Sequence, residues 1–348
     1  MGGFDVYCAI CGSTFRSRVS IDSDDETDYT YSGDVIGDSD LEWLDRLCAL
    51  GLNPDAPGQR KSFLTGQGSY DDANAIHAYP GEDPNILIDP DREPPYYFYT
   101  YWDWIGGQVE RPVFPFHELC YQEILLRCFK NERINGDVLY ALCEELVDDE
   151  FNSKSLLLDY GDPAPPYEQY WECRKGEELL VTNPVKITQL TGYLDELQDI
   201  VSEGTDTSQI QKIQKNRDIF DTLPYELQLQ LFNLLPVSSV LALKAASWSM
   251  HTTTLPNGNW KARLETELPW LWEIQNIDPF KSQELEAKLS KIVAELEEKS
   301  KYKKGRVNYI PGLANRRRIW NVCENIKGNC YLDLTLVIWT SRYTKIGR

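Results

Sequence analysis

The chain has 348 residues, 55 acidic against 35 basic, for a net charge of −20; at about 100–200 residues per domain it holds two or three domains. An aromatic content of 12% excludes a wholly disordered chain. The acidic excess argues against nucleic acid or anionic lipid as a partner, because each phosphate contact needs a Lys or Arg.

No apolar run approaches the ~18 residues of a membrane helix, so no membrane partner is expected. The start MGGFDVYCAICG has neither the basic-then-apolar form of a signal peptide nor, at Val6, the Ser or Thr of a myristoylation site. A soluble intracellular protein is expected, cytoplasmic and/or nuclear. Nine cysteines, an odd number at uneven spacing, point to reduced thiols or metal ligands rather than a disulfide framework.

The first hundred residues carry 19 acidic residues against 6 basic. Residues 20–40 are densely charged and 53–95 are dotted with Pro and Gly; both read as exposed loops or partly disordered, an acidic insertion over about 20–95. Between them, apolar residues at 41, 44, 47, 48 and 50 predict a short amphipathic helix. The aromatic stretch 96–105 suits a strand or packed turn. Residues 115–150 turn helical, with Leu119, Ile124, Leu125, Phe129, Val138, Leu139, Leu142 and Leu146 at three- and four-residue spacing. After a break at 160–170, another short helix is expected in 184–201, and the polar residues 202–214 form the best linker.

Residues 218–301 read as all-helical, ending in a helix that sets Leu285, Leu289, Ile292, Val293 and Leu296 on one face. The last fifty residues reverse the charge with Lys303, Lys304, Arg316, Arg317 and Arg318. Ile319, Trp320 and Val322 beside that Arg run look packed, which predicts a helix pairing with the acidic domain.

Two constellations carry chemistry. Cys8-x-x-Cys11-Gly12 has the shape of a knuckle in which two thiolates converge on one metal. His117 and Cys120, three apart at a predicted helix start, can add two ligands from one face. Together they would close a Cys3His site with no position left for water, hence structural; the alternative is free core thiols and a satisfied histidine.

In 219–264, Pro224 opens a helix with Glu226 in its first turn, Pro236 stops it, and a second helix runs through Val240 and Leu243. Leu223, Leu227, Leu231, Phe232, Leu234, Leu235, Val237, Val240, Leu241 and Leu243 are too many apolar residues for one small helical unit to hide, which predicts an exposed patch that wants a partner. His77 and His251 stand in polar surroundings, and no nucleotide-loop, nucleophile-elbow or metalloprotease motif is present, so no catalytic residue is expected and the chain is read as a non-enzyme.

Leu223-Pro224-x-Glu226-Leu227, then Leu231-Phe232, Leu235-Pro236, Val240 and Leu243, and finally Trp260, resemble the F-box, over roughly an eighth of the chain. The segments CAICG, FPFHELCYQEIL and NRRRIWNVCENI are similar to a group of fungal F-box proteins. The resemblance implies a substrate receptor of a cullin-type ubiquitin ligase, docked on a Skp-type adaptor beside the cullin scaffold and presenting a target protein that the sequence does not identify. It also implies zinc as the metal of Cys8, Cys11, His117 and Cys120. The alternative is an F-box scaffold acting outside ubiquitin ligation.

The expected fold is mainly α with irregular loop-rich segments and a few short strands. In it, a three-helix F-box (218–268) lies between an N-terminal zinc-stapled domain (1–200, with a linker at 201–217) and a C-terminal helical region with a basic tail (269–348).

Overall fold

A computed structural model of the protein describes residues 5–15, 19–22, 30–36, 41–71, 75–88, 91–101, 110–130, 132–147, 155–166, 170–203, 218–253, 255, 257–275, 283–305 and 308–344. The linker expected at 201–217 lies mostly outside them. The chain forms two compact units, one of residues 1–186 with 302–348, the other of 187–301.

The first unit overturns the mainly-α expectation, for it is organised by a curled antiparallel sheet, a half-barrel. Two short strands, β1 (Ile21–Asp22) and β2 (Tyr31–Ser32), pair in parallel ahead of the one-turn helix α1 (Gly33–Ile36). The main sheet holds β3 (Leu47–Leu52), β4 (Ser62–Leu64), β5 (Gly68–Asp71), β6 (Ala75–Ala78), β7 (Tyr96–Tyr99) and β8 (Phe114–His117).

Strand β3 is its centre. It pairs with β8 along Leu47–Leu50 and with β4 and β5 on its other edge; β5–β6–β7 continue the antiparallel order. A bridge from Thr100 to Val113 brings the end of β7 to the start of β8, which curls the sheet.

The helix expected at 41–50 is a single 3-10 turn (Glu42–Leu44) followed by β3. A strand buried on both faces is a continuous apolar run, and LCALGL shows no alternation to separate it from a helix. Gly51 is required within it, because a Cβ there would run into the Phe63 ring.

The expected acidic loop at 53–95 contributes three strands instead, with Phe63, Ala75, Ile76 and Ala78 buried. Its acids include structural ones. Asp83 takes a two-pronged pair from Arg60 (2.8 and 3.0 Å) and the Leu64 amide, while Asp137 accepts the Lys61 and Ser62 amides.

Beyond β8 the backbone winds through a π-helical turn (Cys120–Leu125) into α2 (Leu126–Cys128). Helix α3 (Gly136–Glu145) follows, capped by the Asn135 side chain. The last helix of the chain, Pro311–Thr344, belongs to this unit and packs on the π-turn and α3. It buries Leu313, Ile319, Trp320, Val322, Cys323 and Ile326.

The second unit is helical: α4 (Thr188–Glu203), α5 (Tyr225–Leu234), α6 (Val237–Ala246), α7 (Trp248–Thr252), α8 (Asn257–Glu267) and α9 (Gln283–Lys299). Helices α4 and α9 pack together, joined by Tyr193 Oη donating to Glu295 (2.7 Å). In chain order the helix Pro311–Thr344 is α10. Among the described residues no helix is long and apolar enough to cross a membrane.

Candidate metal centre

Three elements deliver four donors. The knuckle is a tight turn in which Gly12 N–H returns to the Cys8 carbonyl (2.8 Å) and Cys8 N–H reaches the Ser13 carbonyl (3.0 Å). The turn needs positive φ at Gly12 (+70°), and a Cβ there would lie 2.8 Å from the Tyr160 ring. The Ala9 amide pins the knuckle to β8 through the Pro115 carbonyl (2.9 Å). His117 ends β8, in register with Leu47 of β3, and Cys120 opens the π-turn three residues on.

The ligand atoms of Cys8, Cys11, His117 and Cys120 all lie within 4.8 Å of one another, and all four residues are fully buried. A tetrahedral ion with ligand bonds of ~2.0–2.3 Å would hold its donors roughly 3.3–3.8 Å apart. Cys11 Sγ and His117 Nδ1, at 3.4 Å, already stand at that spacing.

The surroundings orient the donors as metal ligands are oriented. The Thr14 carbonyl lies 3.2 Å from His117 Nε2, which selects the Nε2–H tautomer and turns the Nδ1 lone pair toward the sulfurs. Amides of Cys11 and His117 point at Cys8 Sγ and that of Ser13 at Cys11 Sγ, each at 3.4 Å, as thiolates require. Phe15 and Trp43 flank the imidazole with ring centroids at 5.0 and 4.6 Å. The result is an apolar wall against the imidazole.

Charge in the cluster is unevenly held. Burial disfavours a Cys11 thiolate, yet hydrogen bonds from Cys120 and Cys8 and the His117 charge outweigh it and hold the Cys11 thiol well below the ordinary value. Burial disfavours imidazolium too, but the Cys8 and Cys11 sulfurs raise His117 to about 10. Burial, reinforced by Cys11 and Cys8, pushes the Cys120 thiol well up. A divalent cation in their midst would replace these protons and satisfy all three sulfurs together. The donor set therefore forms a possible metal site, closed and structural in kind. Cys48, whose thiol is pushed up by burial first, stands outside it, and all nine cysteines are buried and free of disulfides.

The other expected site residues are divided by the helical unit. Phe232 and Val240 are buried; Leu223, Leu231, Leu235 and Leu243 are half-buried; Pro224, Glu226, Leu227 and Pro236 are exposed. Trp260 lies on α8, its side chain outside the described residues. Sequence reasoning did not mark Ile219, Tyr225 and Trp248, which are exposed with Leu227 and Leu234.

A polar net fixes these helices. Asp218 accepts from Ser247 Oγ (2.6 Å) and the Ser249 amide (3.0 Å), and Gln228 Nε2 donates to the Phe220 and Leu223 carbonyls (both 3.2 Å). Arg263 spans the break between α5 and α6 by donating to the Phe232 and Leu235 carbonyls, and Glu267 receives the Val237 amide at the start of α6.

No protein-family model matches the sequence, and no curated protein and no solved structure matches it.

Proposed function

We propose that this chain is a non-catalytic docking subunit whose helical unit binds a Skp-type adaptor of a cullin ubiquitin ligase and whose metal-stapled unit holds the target protein. The supporting observation is the exposure of large apolar side chains in the helical unit: Ile219 at 78% and Leu234 at 81%, with Tyr225, Leu227 and Trp248 also exposed. Leucines left in water by a unit that buries Phe232 and Val240 are explained by a partner that covers them.

In this reading the chain accelerates ubiquitin transfer by position alone, holding a target lysine near a thioester carried by another subunit. The metal is zinc, which suits three sulfurs and one nitrogen with no open position; it would join the knuckle to β8 and the π-turn and take no part in chemistry.

The test is recovery of adaptor and cullin on the full chain, compared with Leu227→Glu/Leu234→Glu. Both residues are exposed, so folding should be unchanged. Adaptor recovery is expected to fall at least about thirtyfold, since one hot-spot side chain carries ~2 kcal/mol. Equal recovery with both proteins would contradict the docking claim, and adaptor without cullin would favour a scaffold outside ubiquitin ligation.

A further inference from the structure

Arg318 of α10 is 5% exposed, buried against the knuckle. All five of its N–H donors are engaged: Nε and one Nη2 hydrogen on Asn315 Oδ1 (3.2 and 2.9 Å), the other Nη2 hydrogen on Ser13 Oγ (3.2 Å), and the Nη1 pair on the carbonyls of Cys11 (2.7 Å) and Tyr160 (3.1 Å). Every one of these acceptors is neutral. Among the described residues no carboxylate pairs with this guanidinium, although an Arg in a protein interior normally requires a counter-charge.

The Cys11, Cys120 and Cys8 sulfurs each act on the Arg318 charge and are candidates for that counter-charge. Cys11 itself offers its carbonyl to Arg318, and Ser13, which accepts from Arg318 through Oγ, points its own amide at Cys11 Sγ (3.4 Å). Three thiolates, a neutral imidazole and a divalent cation sum to a charge of about −1; one arginine brings that sum to zero. A trivalent ion would make the ligand set neutral and leave Arg318 uncompensated, and a monovalent one would leave the ligand set and Arg318 together with a net negative charge.

We propose that Arg318 is the built-in counter-charge of the metal centre. It sets the site for a divalent cation and ties occupancy of the knuckle to the seating of α10. The inference rests on the metal reading given above and deepens it. Arg318 acts through the ligands as a positioning residue and does not touch the metal. The glycine behind its stem serves the same packing, since a Cβ at Gly161 would meet Arg318 Cγ at 3.1 Å.

The experiment is a chelator competition that measures zinc affinity of the full chain for wild type, Arg318→Gln and Arg318→Lys, with circular dichroism in excess zinc to establish folding. Wild type is expected to hold one zinc. Arg318→Gln should bind it 10–100-fold more weakly, the usual loss for a residue that orients or charge-balances ligands. Arg318→Lys keeps the charge but loses the fork, and should stay within about threefold of wild type, the rescue that a purely structural arginine would not show.

A Gln variant within twofold of wild type would overturn the proposal. If the Gln variant does not fold, the Lys variant decides alone: a tenfold or greater loss there means that the fork, not the charge, matters, and overturns it. Wild type that binds no zinc would fail the metal reading itself, an outcome distinct from either.

Discussion

The two units solve the burial of polar groups in opposite ways. The first draws three thiols and an imidazole together in its interior, a donor set that could hold a metal ion, and buries Arg316 and Arg318 as well. The second buries an apolar row and a small net around Gln228 and Thr253, joined by the Lys244 ammonium through the Thr253 carbonyl, and leaves several of its largest apolar side chains outside. In the proposed reading one unit is conditional on a metal inside it, and the other presents exposed apolar side chains. Stability in the first should follow the metal, and binding in the second should follow exposed leucines.

The largest expected effect separates them directly. Stripping the metal with a chelator, or Cys11→Ser, removes about 4 kcal/mol or more from the first unit, the stabilisation of a ligand present at a thousandfold its dissociation constant. The thermal midpoint should fall by roughly 10 °C or more. A scan that resolves two transitions would show only one of them moving; a common shift of both would break the comparison.

Phe232→Ala makes the reciprocal test. Phe232 is fully buried under the Lys244 ammonium, which sits 5.9 Å from its ring. Its removal should cost the helical unit ~3–5 kcal/mol and leave metal content unchanged. Metal loss in this variant would show that the units are not independent in stability.

Gly12→Ala sharpens the knuckle itself, since strain at positive φ together with the Tyr160 ring should cost ~1–3 kcal/mol and weaken metal retention. A variant as stable and as metal-loaded as wild type would contradict the required turn.

Much of the metal centre was legible, because a Cys-x-x-Cys turn and a His-x-x-Cys helix start each converge two donors locally, whatever the chain does between them. What joins the pairs was not legible. β3 carries a continuous apolar run that matches a helix as well as a buried strand, and β4, β5 and β6 are three or four residues long, too short for an alternation to stand out among Pro, Gly and Asp. Asp83 and Asp137 counted only as charge, although they stitch that sheet.

The Arg run at 316–318 was read as a helix pairing with the acidic domain, and the helix does pack within that unit, but Arg318 bonds there to neutral atoms. The helices of 219–264 followed from proline placement and spacing, but which leucines face water depends on the Asp218 and Gln228 net, which no pattern announces.

The smallest effect concerns pH. Burial acts to raise the Asp137 pKa, but the hydrogen bonds from Ser62 and Lys61 together outweigh it and hold the carboxyl below the ordinary aspartate value. A depressed folded value means that the contribution is complete above about pH 4 and is lost as pH falls through the folded value. With solvent screening it is at most ~1 kcal/mol. Asp137→Asn should therefore lower stability of the first unit at pH 7 and narrow the gap to wild type in acid; a gap independent of pH would exclude the carboxylate's role.

The central claim is that Cys8, Cys11, His117 and Cys120 form one closed structural zinc site. X-ray absorption at the zinc edge of the purified full chain tests it most directly. The account predicts one zinc with three sulfur neighbours at about 2.3 Å and one nitrogen at about 2.0–2.1 Å. Metal-free protein that is fully folded, or a spectrum with an oxygen ligand in place of one of the four donors, would contradict it.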